Sequence, residues 1–473
     1  MVDNSPAPSI TLRERRDADG LDTFVPVILR DGAPCDPDLD RFLLDLPLSG
    51  IRSRHSLRAI GYDLMVWVRF LAQARGKGVW QAGPPDVAAY HRVRRREDAP
   101  FRISAASWNR AVASLDRLYR WAERKGLVPT TPFAHRAVWV RGHGGRPMRL
   151  LERNEAYERA AWRAEVPFLT LKDYRAFRDV GLRGLQPDGT ERPGARDRNG
   201  VRNALFADLL VTTGLRLEEA ACLLAHELPT PGLGGEHQRW LDLPSGLTKG
   251  QRARRVLVPI RVLGELRAYL AVERTGAAAK FAARGGWRSM DRPILICRPT
   301  AGPTLALVGG GALRVDRLTP EERLRLIACD TDGTPHEPLA LWLTEVGQPV
   351  RPNSWEAIFA RATRRCAAAG LDLRVHPHRL RHTFAVHLLA MLVERRLREA
   401  ASSAGAMEGY RRLLGDPLLQ VQRLLGHASV ATTQVYLDHA VPCTGTVDAA
   451  VEELLALLTT SAALAPPSAE AHA

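Results

Sequence analysis

Apolar residues recur at three- and four-residue spacing along two stretches of the first third of the chain. The first holds Leu57, Tyr62, Met65, Val66, Phe70 and Leu71; the second holds Ala111, Val112, Leu115, Leu118, Trp121 and Ala122. That period is the signature of helices with one buried stripe. Gly126 and Pro129 supply a stop for the second. Residues 36–133 therefore read as a compact helical domain with an Arg-rich polar face. Residues 1–35, rich in Pro and Asp with one short β-like run at Phe24–Leu29, read as a flexible arm. Residues 134–165 read as a linker, with Gly142, Gly144, Gly145 and Pro147 among many arginines.

A second domain is expected over 166–445. Helices are predicted at Leu171–Val180 and Asn203–Val211, separated by the polar stretch GLQPDGTERPGARDRNG, which has loop chemistry. A strand–turn–strand follows: Arg239–Leu243, a turn around Lys249–Gly250, then Arg255–Pro259. Residues 275–345 lose this regularity and read as an insertion. Its three glycines at 309–311 lack the Lys-Ser/Thr of a phosphate-binding loop. Further on, Asp416 and Pro417 open a helix whose apolar face is Leu418, Val421, Leu424 and Leu425, and Gly426 stands at its stop. A last amphipathic helix is expected over 446–459, then a disordered tail over 460–473. The fold class is mainly α with a small β-sheet (α+β), in two domains.

Composition sharpens the picture. No stretch approaches the ~20 apolar residues of a membrane span, and the first twenty residues lack a signal-peptide core. A cytoplasmic protein with no membrane partner is expected. The six cysteines are scattered without a C-x-x-C pair, which suggests neither a zinc ribbon nor a redox motif. The formal net charge is +15, which favours a polyanionic partner. Residues 51–130 alone hold 16 Arg/Lys against 6 Asp/Glu, so most of the excess sits in the helical domain. Only five of the 67 basic residues are lysine; a Lys at a chemical position therefore needs a reason.

Five short segments carry candidate chemistry: TGLRLEEA (213–220), LTKGQRARRVLVP (247–259), HPHRLRHTFAVHL (376–388), LLGHASVATT (424–433) and QVYLDH (434–439). Arg216 has the planar fork that suits a phosphate, and Glu219 stands three residues on, in helical reach of it. His378 and Arg381 share the same spacing. His378 and His382, four apart, raise a zinc reading, but the metalloprotease pattern wants Glu after the first His and Arg379 stands there instead.

In order and spacing these segments resemble the active site of the tyrosine recombinase, or phage integrase, family: T-G-L-R-x-x-E, a Lys in a β-hairpin, H-x-L-R-H-T, then L-G-H followed nine residues later by Tyr. The S-x-x-x-x-N-R run at 104–110 resembles that family's core-binding domain. The resemblance implies a catalytic set of Tyr436, Arg216, Lys249, His378, Arg381 and His427. Tyr436 would be the nucleophile, Arg216 and Arg381 would clamp the phosphate, and His427 would hydrogen-bond it. His378 would serve as base toward the tyrosine. Lys249 would protonate the leaving 5′-oxygen, a task for which Arg, with a pKa above ~12, is poorly suited. Glu219 and His382 would support these groups. Arg92, Arg94, Arg95, Arg96, Arg110, Arg252, Arg254 and Arg255 are expected to face double-stranded DNA. The family further implies a homotetramer on two DNA sites, an accessory directionality factor, and no metal or cofactor. A type IB topoisomerase and a catalytically silent DNA-binding relative are the alternative readings. The 129 residues from Lys249 to His378 exceed the family's usual spacing because of the insertion.

Overall fold

The computed structural model describes residues 9–16, 22–51, 53–96, 101–140, 149–158, 167–191, 199–230, 237–297, 304–401 and 417–425. The chain divides into two compact units, Met1–Ala164 and Glu165–Ala473, and each is described by itself.

The first unit begins with β1 (Ile10–Arg16) and β2 (Asp22–Arg30), which pair antiparallel, with β3 (Ala33–Pro34) on the outer edge of β2. Four helices follow: α1 (Pro37–Asp45), α2 (Arg54–Phe70), α3 (Pro84–Arg95) and α4 (Ala105–Arg124). The two periodic stretches form α2 and α4, and their apolar stripes meet in one core. Buried aromatic rings there keep their polar atoms satisfied: Trp67 Nε1 donates to Tyr119 Oη at 2.8 Å, and Tyr119 donates to Val79 O at 2.7 Å. Ser104 caps α4 by accepting from Ser107 N.

The expected flexible arm is corrected. Over its described part it is a hairpin, because Ile10, Val25 and Ile28 bury against the helices. It reaches α2 at Gly61, where a Cβ would lie 2.8 Å from the Pro26 ring. The expected linker is also corrected. It contains β4 (His135–Val140) paired antiparallel with β5 (Arg149–Asn154). Residues 155–158 then return to the helices. Asn109 brackets the Glu158 backbone with two hydrogen bonds, and the Glu158 carboxylate takes His91 and Arg95.

The second unit is built around α6 (Gly200–Thr213), preceded by α5 (Leu171–Ala176), which continues as a wider-wound turn to Leu182. Nearly all of α6 is buried, and Phe206 stacks on Trp355 with ring centroids 3.6 Å apart. After α7 (Leu217–Ala221) come the hairpin β6 (Gln238–Leu243) and β7 (Arg254–Pro259), then α8 (Ile260–Tyr269).

The insertion, expected to be irregular, is instead ordered over its described residues. It runs through α9 (Thr275–Ala283), β8 (Ile294–Ile296), β9 (Thr304–Ala306), β10 (Ala312–Arg314), α10 (Pro320–Arg323), β11 (Leu326–Cys329) and β12 (Pro335–Pro338). β11 pairs parallel with β8 and antiparallel with β12, and all four of its residues are buried. Two buried arginines tie the insertion down. Arg323 pairs with Glu227 and donates to Cys222 O; Arg274 donates to Glu337 and to the Ala340 carbonyl. Trp342 Nε1 donates to Ala220 O at 2.8 Å, so the exit from the insertion packs directly behind α7. Such elements were hidden in the sequence because three- and four-residue strands are too short to show alternation.

The unit closes with α11 (Pro352–Ala368), α12 (Pro377–Ala401) and α13 (Pro417–Leu425). Val421 and Leu425 of α13 bury against Ala385, Val386 and Leu389 of α12. The helix expected over 446–459 and the tail lie outside the described residues.

Candidate active site

The site starts where α6 ends. Gly214 adopts a left-handed φ of 65°, and a Cβ there would lie 2.4 Å from the Phe384 ring. Both conditions select glycine. The turn buries Leu215 and delivers Arg216 to the position just before α7. Arg216 donates from its backbone N to Glu219 Oε2 at 2.8 Å and from Nη1 to Oε1 at 2.9 Å.

Glu219 is 1% exposed. Arg254, at the start of β7, grips both its oxygens at 2.6 and 2.7 Å. Burial alone would raise the Glu219 pKa; the hydrogen bonds and charge of Arg254, followed by the charge of Arg216, bring it below the usual carboxylate value. The expectation that Arg254 faces DNA is corrected: its side chain is 11% exposed, and both terminal nitrogens serve Glu219. The arginine is an anchor that fastens the hairpin to the Arg216 turn.

That hairpin carries Lys249 in its connecting loop, exposed to solvent. Thr248, beside it, is buried and closes the loop by donating to Arg252 O at 2.6 Å. Gly246 N donates to Asp316 O at 2.9 Å, so the insertion holds the loop from the other side. A Cβ at Gly246 would lie 2.5 Å from Leu318 O.

Arg381 on α12 is 2% exposed. It donates to the carbonyls of Gly214, the residue that caps α6, and Leu425, the last of α13. One guanidinium thus holds together the turn before Arg216 and the helix end two residues before His427. His378 stands one helical turn before Arg381, open to solvent on one side. Its pKa is lowered, first by the protein packed around it, then by the positive charge of Arg381, followed by His376, Arg216 and Lys249. Arg216, Lys249, His378 and Arg381 therefore form one electrostatic cluster drawn from three separate segments.

His382 meets His378 edge to face, with ring centroids 4.5 Å apart. Burial, then the charges of His378 and Arg381, lower its pKa to about 4. His387 bonds to Leu169 O at 2.8 Å and is structural. Tyr436 and His427 lie outside the described residues. Among those residues, no group of three or more His, Cys, Asp or Glu side chains is placed to hold a metal ion.

The remaining candidates divide. Arg252 and Arg255 are exposed, although Arg255 donates to the equally exposed Asp242 at 2.6 Å. Arg92 and Arg96 are exposed at the end of α3, and Arg94 is half-buried beside Tyr90. Arg95 is corrected: it ties Glu158 and Ile103 O together rather than facing solvent. Arg110 forms a two-bond pair with buried Asp63 at 2.9 and 3.2 Å. Sequence reading missed Asp63 and the Arg254–Glu219 pair. Both link residues far apart in the chain, and only the i, i+3 relation of Arg216 and Glu219 is local.

The chain is similar to several known proteins. The model for "Phage integrase, N-terminal SAM-like domain" matches residues 39–126. The chain is 27% identical over 382 residues to tyrosine recombinase XerC 1 of Ralstonia nicotianae, covering 74% of this chain and 88% of that one. It is 27% identical over 424 residues to tyrosine recombinase XerC of Rhodospirillum centenum, covering 86% and 85%. A shorter match of 97 residues reaches 38% identity with tyrosine recombinase XerD of Corynebacterium glutamicum, covering 20% and 23%. Among solved structures, XerH site-specific recombinase bound to difH substrate aligns over 85% of each chain at 15% identity, with a TM-score of 0.43. Over most of its length the chain is similar to tyrosine site-specific recombinases, and residues 39–126 match the phage-integrase SAM-like domain.

Proposed function

We propose that this protein exchanges DNA strands at specific sites through a covalent bond to Tyr436. The observation that carries the reading is that Arg381, one helical turn from His378, holds the Gly214 turn that delivers Arg216, while Arg254 ties the Lys249 hairpin to the same Arg216–Glu219 turn. A phosphodiester under attack gathers negative charge on its non-bridging oxygens, and cations fixed in advance stabilise that charge without reorganising. The lowered pKa keeps His378 neutral near pH 7, the form a general base requires.

The first step forms a bond from Tyr436 Oη to phosphorus and breaks the bond from phosphorus to the 5′-oxygen. The tyrosine proton passes to His378, and Lys249 Nζ protonates the departing oxygen. Arg216 and His427 hold the phosphate; Arg381, buried with its terminal nitrogens on the Gly214 and Leu425 carbonyls, joins them only by releasing one of those bonds when DNA enters. In the second step the 5′-hydroxyl of a partner strand attacks the phosphotyrosyl link, and the same groups act in reverse. One phosphodiester replaces another, so the chemistry balances without a nucleotide. The proposed assembly is four copies on two duplex sites in the cytoplasm, with an accessory factor setting direction. The proposed outcome is integration or excision of a mobile element, or resolution of joined DNA.

A plasmid assay separates this reading from a topoisomerase. Plasmids with zero, one or two copies of the cognate site would be incubated with the protein. Deletion or inversion products only from the two-site plasmid support recombination. Relaxation of all three, with no such products, would put the topoisomerase reading in its place.

A further inference from the structure

We infer that the groove between β1 and α2 binds the sugar–phosphate backbone of duplex DNA, and that the N-terminal hairpin thereby extends the DNA surface of the first unit. The inference rests on the proposal that this protein acts on DNA.

The groove is an open cleft of about 920 Å³, and Arg13, Arg16, Arg58, Arg69 and Tyr62 are among its lining residues. Its one carboxylate, Glu14, is already held by Arg54 at 2.8 Å. Arg69 turns inward and donates to Ile10 O, which fixes the floor. Arg13 and Arg58 are exposed on opposite walls, and neither forms an ion pair among the described residues. Two exposed guanidinium groups without ion-pair partners leave the cleft positively charged, which attracts a polyanion.

The walls are rigid. At Gly61 the missing side chain lets the hairpin press onto α2, with the Pro26 ring and Leu12 filling the space. The next residue, Tyr62, is 50% exposed and faces the groove. The residue after that, Asp63, is buried and holds Arg110 of α4. Arg110, one of the DNA-facing candidates, is thus anchored to the residue next to Tyr62, although it does not itself line the groove. A phenol flanked by guanidinium groups matches a sugar–phosphate backbone, which offers anionic oxygens at regular spacing. Contacts to phosphates carry no sequence information, so the groove should add affinity without sequence choice.

The test is salt-dependent binding of the full chain to a duplex carrying the cognate site and its flanks, comparing wild type with Arg13→Gln/Arg58→Gln. Both side chains are exposed, so the fold should be retained, which a melting curve would verify. Each lost phosphate contact lowers the slope of log affinity against log salt by about 0.9. The double variant should lose about 2 in slope and bind about tenfold more weakly at low salt. Hydroxyl-radical protection should be lost on flanking phosphates and kept at the cleavage site. Arg13→Lys/Arg58→Lys should retain the slope, as should Arg261→Gln, an exposed position on α8. An unchanged slope in the Gln variant would overturn the groove assignment while leaving the recombinase reading intact. Failure of the wild type to bind duplex DNA at all would overturn both.

Discussion

Arg254 and Glu219 lie 35 positions apart in the sequence and meet in a two-pronged ion pair of 2.6 and 2.7 Å. Both side chains are removed from water, so the pair is costly to break from one side. Arg254→Met should destabilise the second unit by about 3 kcal/mol and slow strand cleavage, because the Lys249 hairpin loses its tether. DNA affinity and its salt slope should stay at the wild-type level. A drop of about 1 in salt slope with an unchanged melting temperature would instead mark Arg254 as a phosphate contact.

The insertion braces the same hairpin from its far side. Gly246 N donates to Asp316 O, and a Cβ at Gly246 would collide with the Leu318 carbonyl. Gly246→Ala should therefore push the loop off the insertion, costing about 1–3 kcal/mol, and displace Lys249 three residues on. Single-turnover cleavage of a nicked site should slow while binding is unaffected. A wild-type cleavage rate would show that the brace does not reach the lysine.

Lys249→Arg keeps the charge and removes the proton donor at neutral pH. Cleavage should fall at least about 100-fold, the usual contribution of general acid catalysis. A substrate with sulfur in place of the leaving 5′-oxygen needs no proton to depart, and should restore the variant to near the wild-type rate. Equal defects on both substrates would remove Lys249 from the general-acid role.

His382 supplies a pH dependence. Its folded pKa of about 4 lies below the ordinary 6.5, so the unfolded chain takes up the proton first. Stability should be full above pH 6.5 and fall as the pH drops toward 4, by up to about 3 kcal/mol at ~1.4 kcal/mol per unit. His378 and His376 shift in the same direction and share the effect. Denaturant melts at pH 7 and pH 4.5 should show a smaller loss in His382→Asn than in wild type. Equal losses would mean that the His382 ring titrates normally.

What the sequence disclosed follows from the range of the interactions. Arg216 with Glu219, and His378 with Arg381, each sit one helical turn apart, so their chemistry is written locally. The two long helices of the first unit were legible because seventeen and twenty residues give a stripe room to repeat. The N-terminal hairpin was not. In ITLRERR only Ile10 is fully buried, and the bulge between Glu14 and Arg16 breaks the alternation. The insertion hid for a different reason: its strands are short, and it is held by Arg274, Arg323 and Trp342 through partners about 60 to 120 positions away. Arg254, an arginine beside other arginines, looks solvent-facing until its buried partner Glu219 is seen.

The central claim is a covalent bond between Tyr436 and DNA, and a suicide substrate tests it most directly. The cognate site, nicked so that the strand released by cleavage diffuses away, would be incubated in EDTA with wild type and with Tyr436→Phe. A covalent protein–DNA adduct from wild type, absent from the variant, is the predicted result. An adduct from the variant would contradict the nucleophile assignment, and no adduct from a wild type bound to its site would contradict the proposed reaction itself.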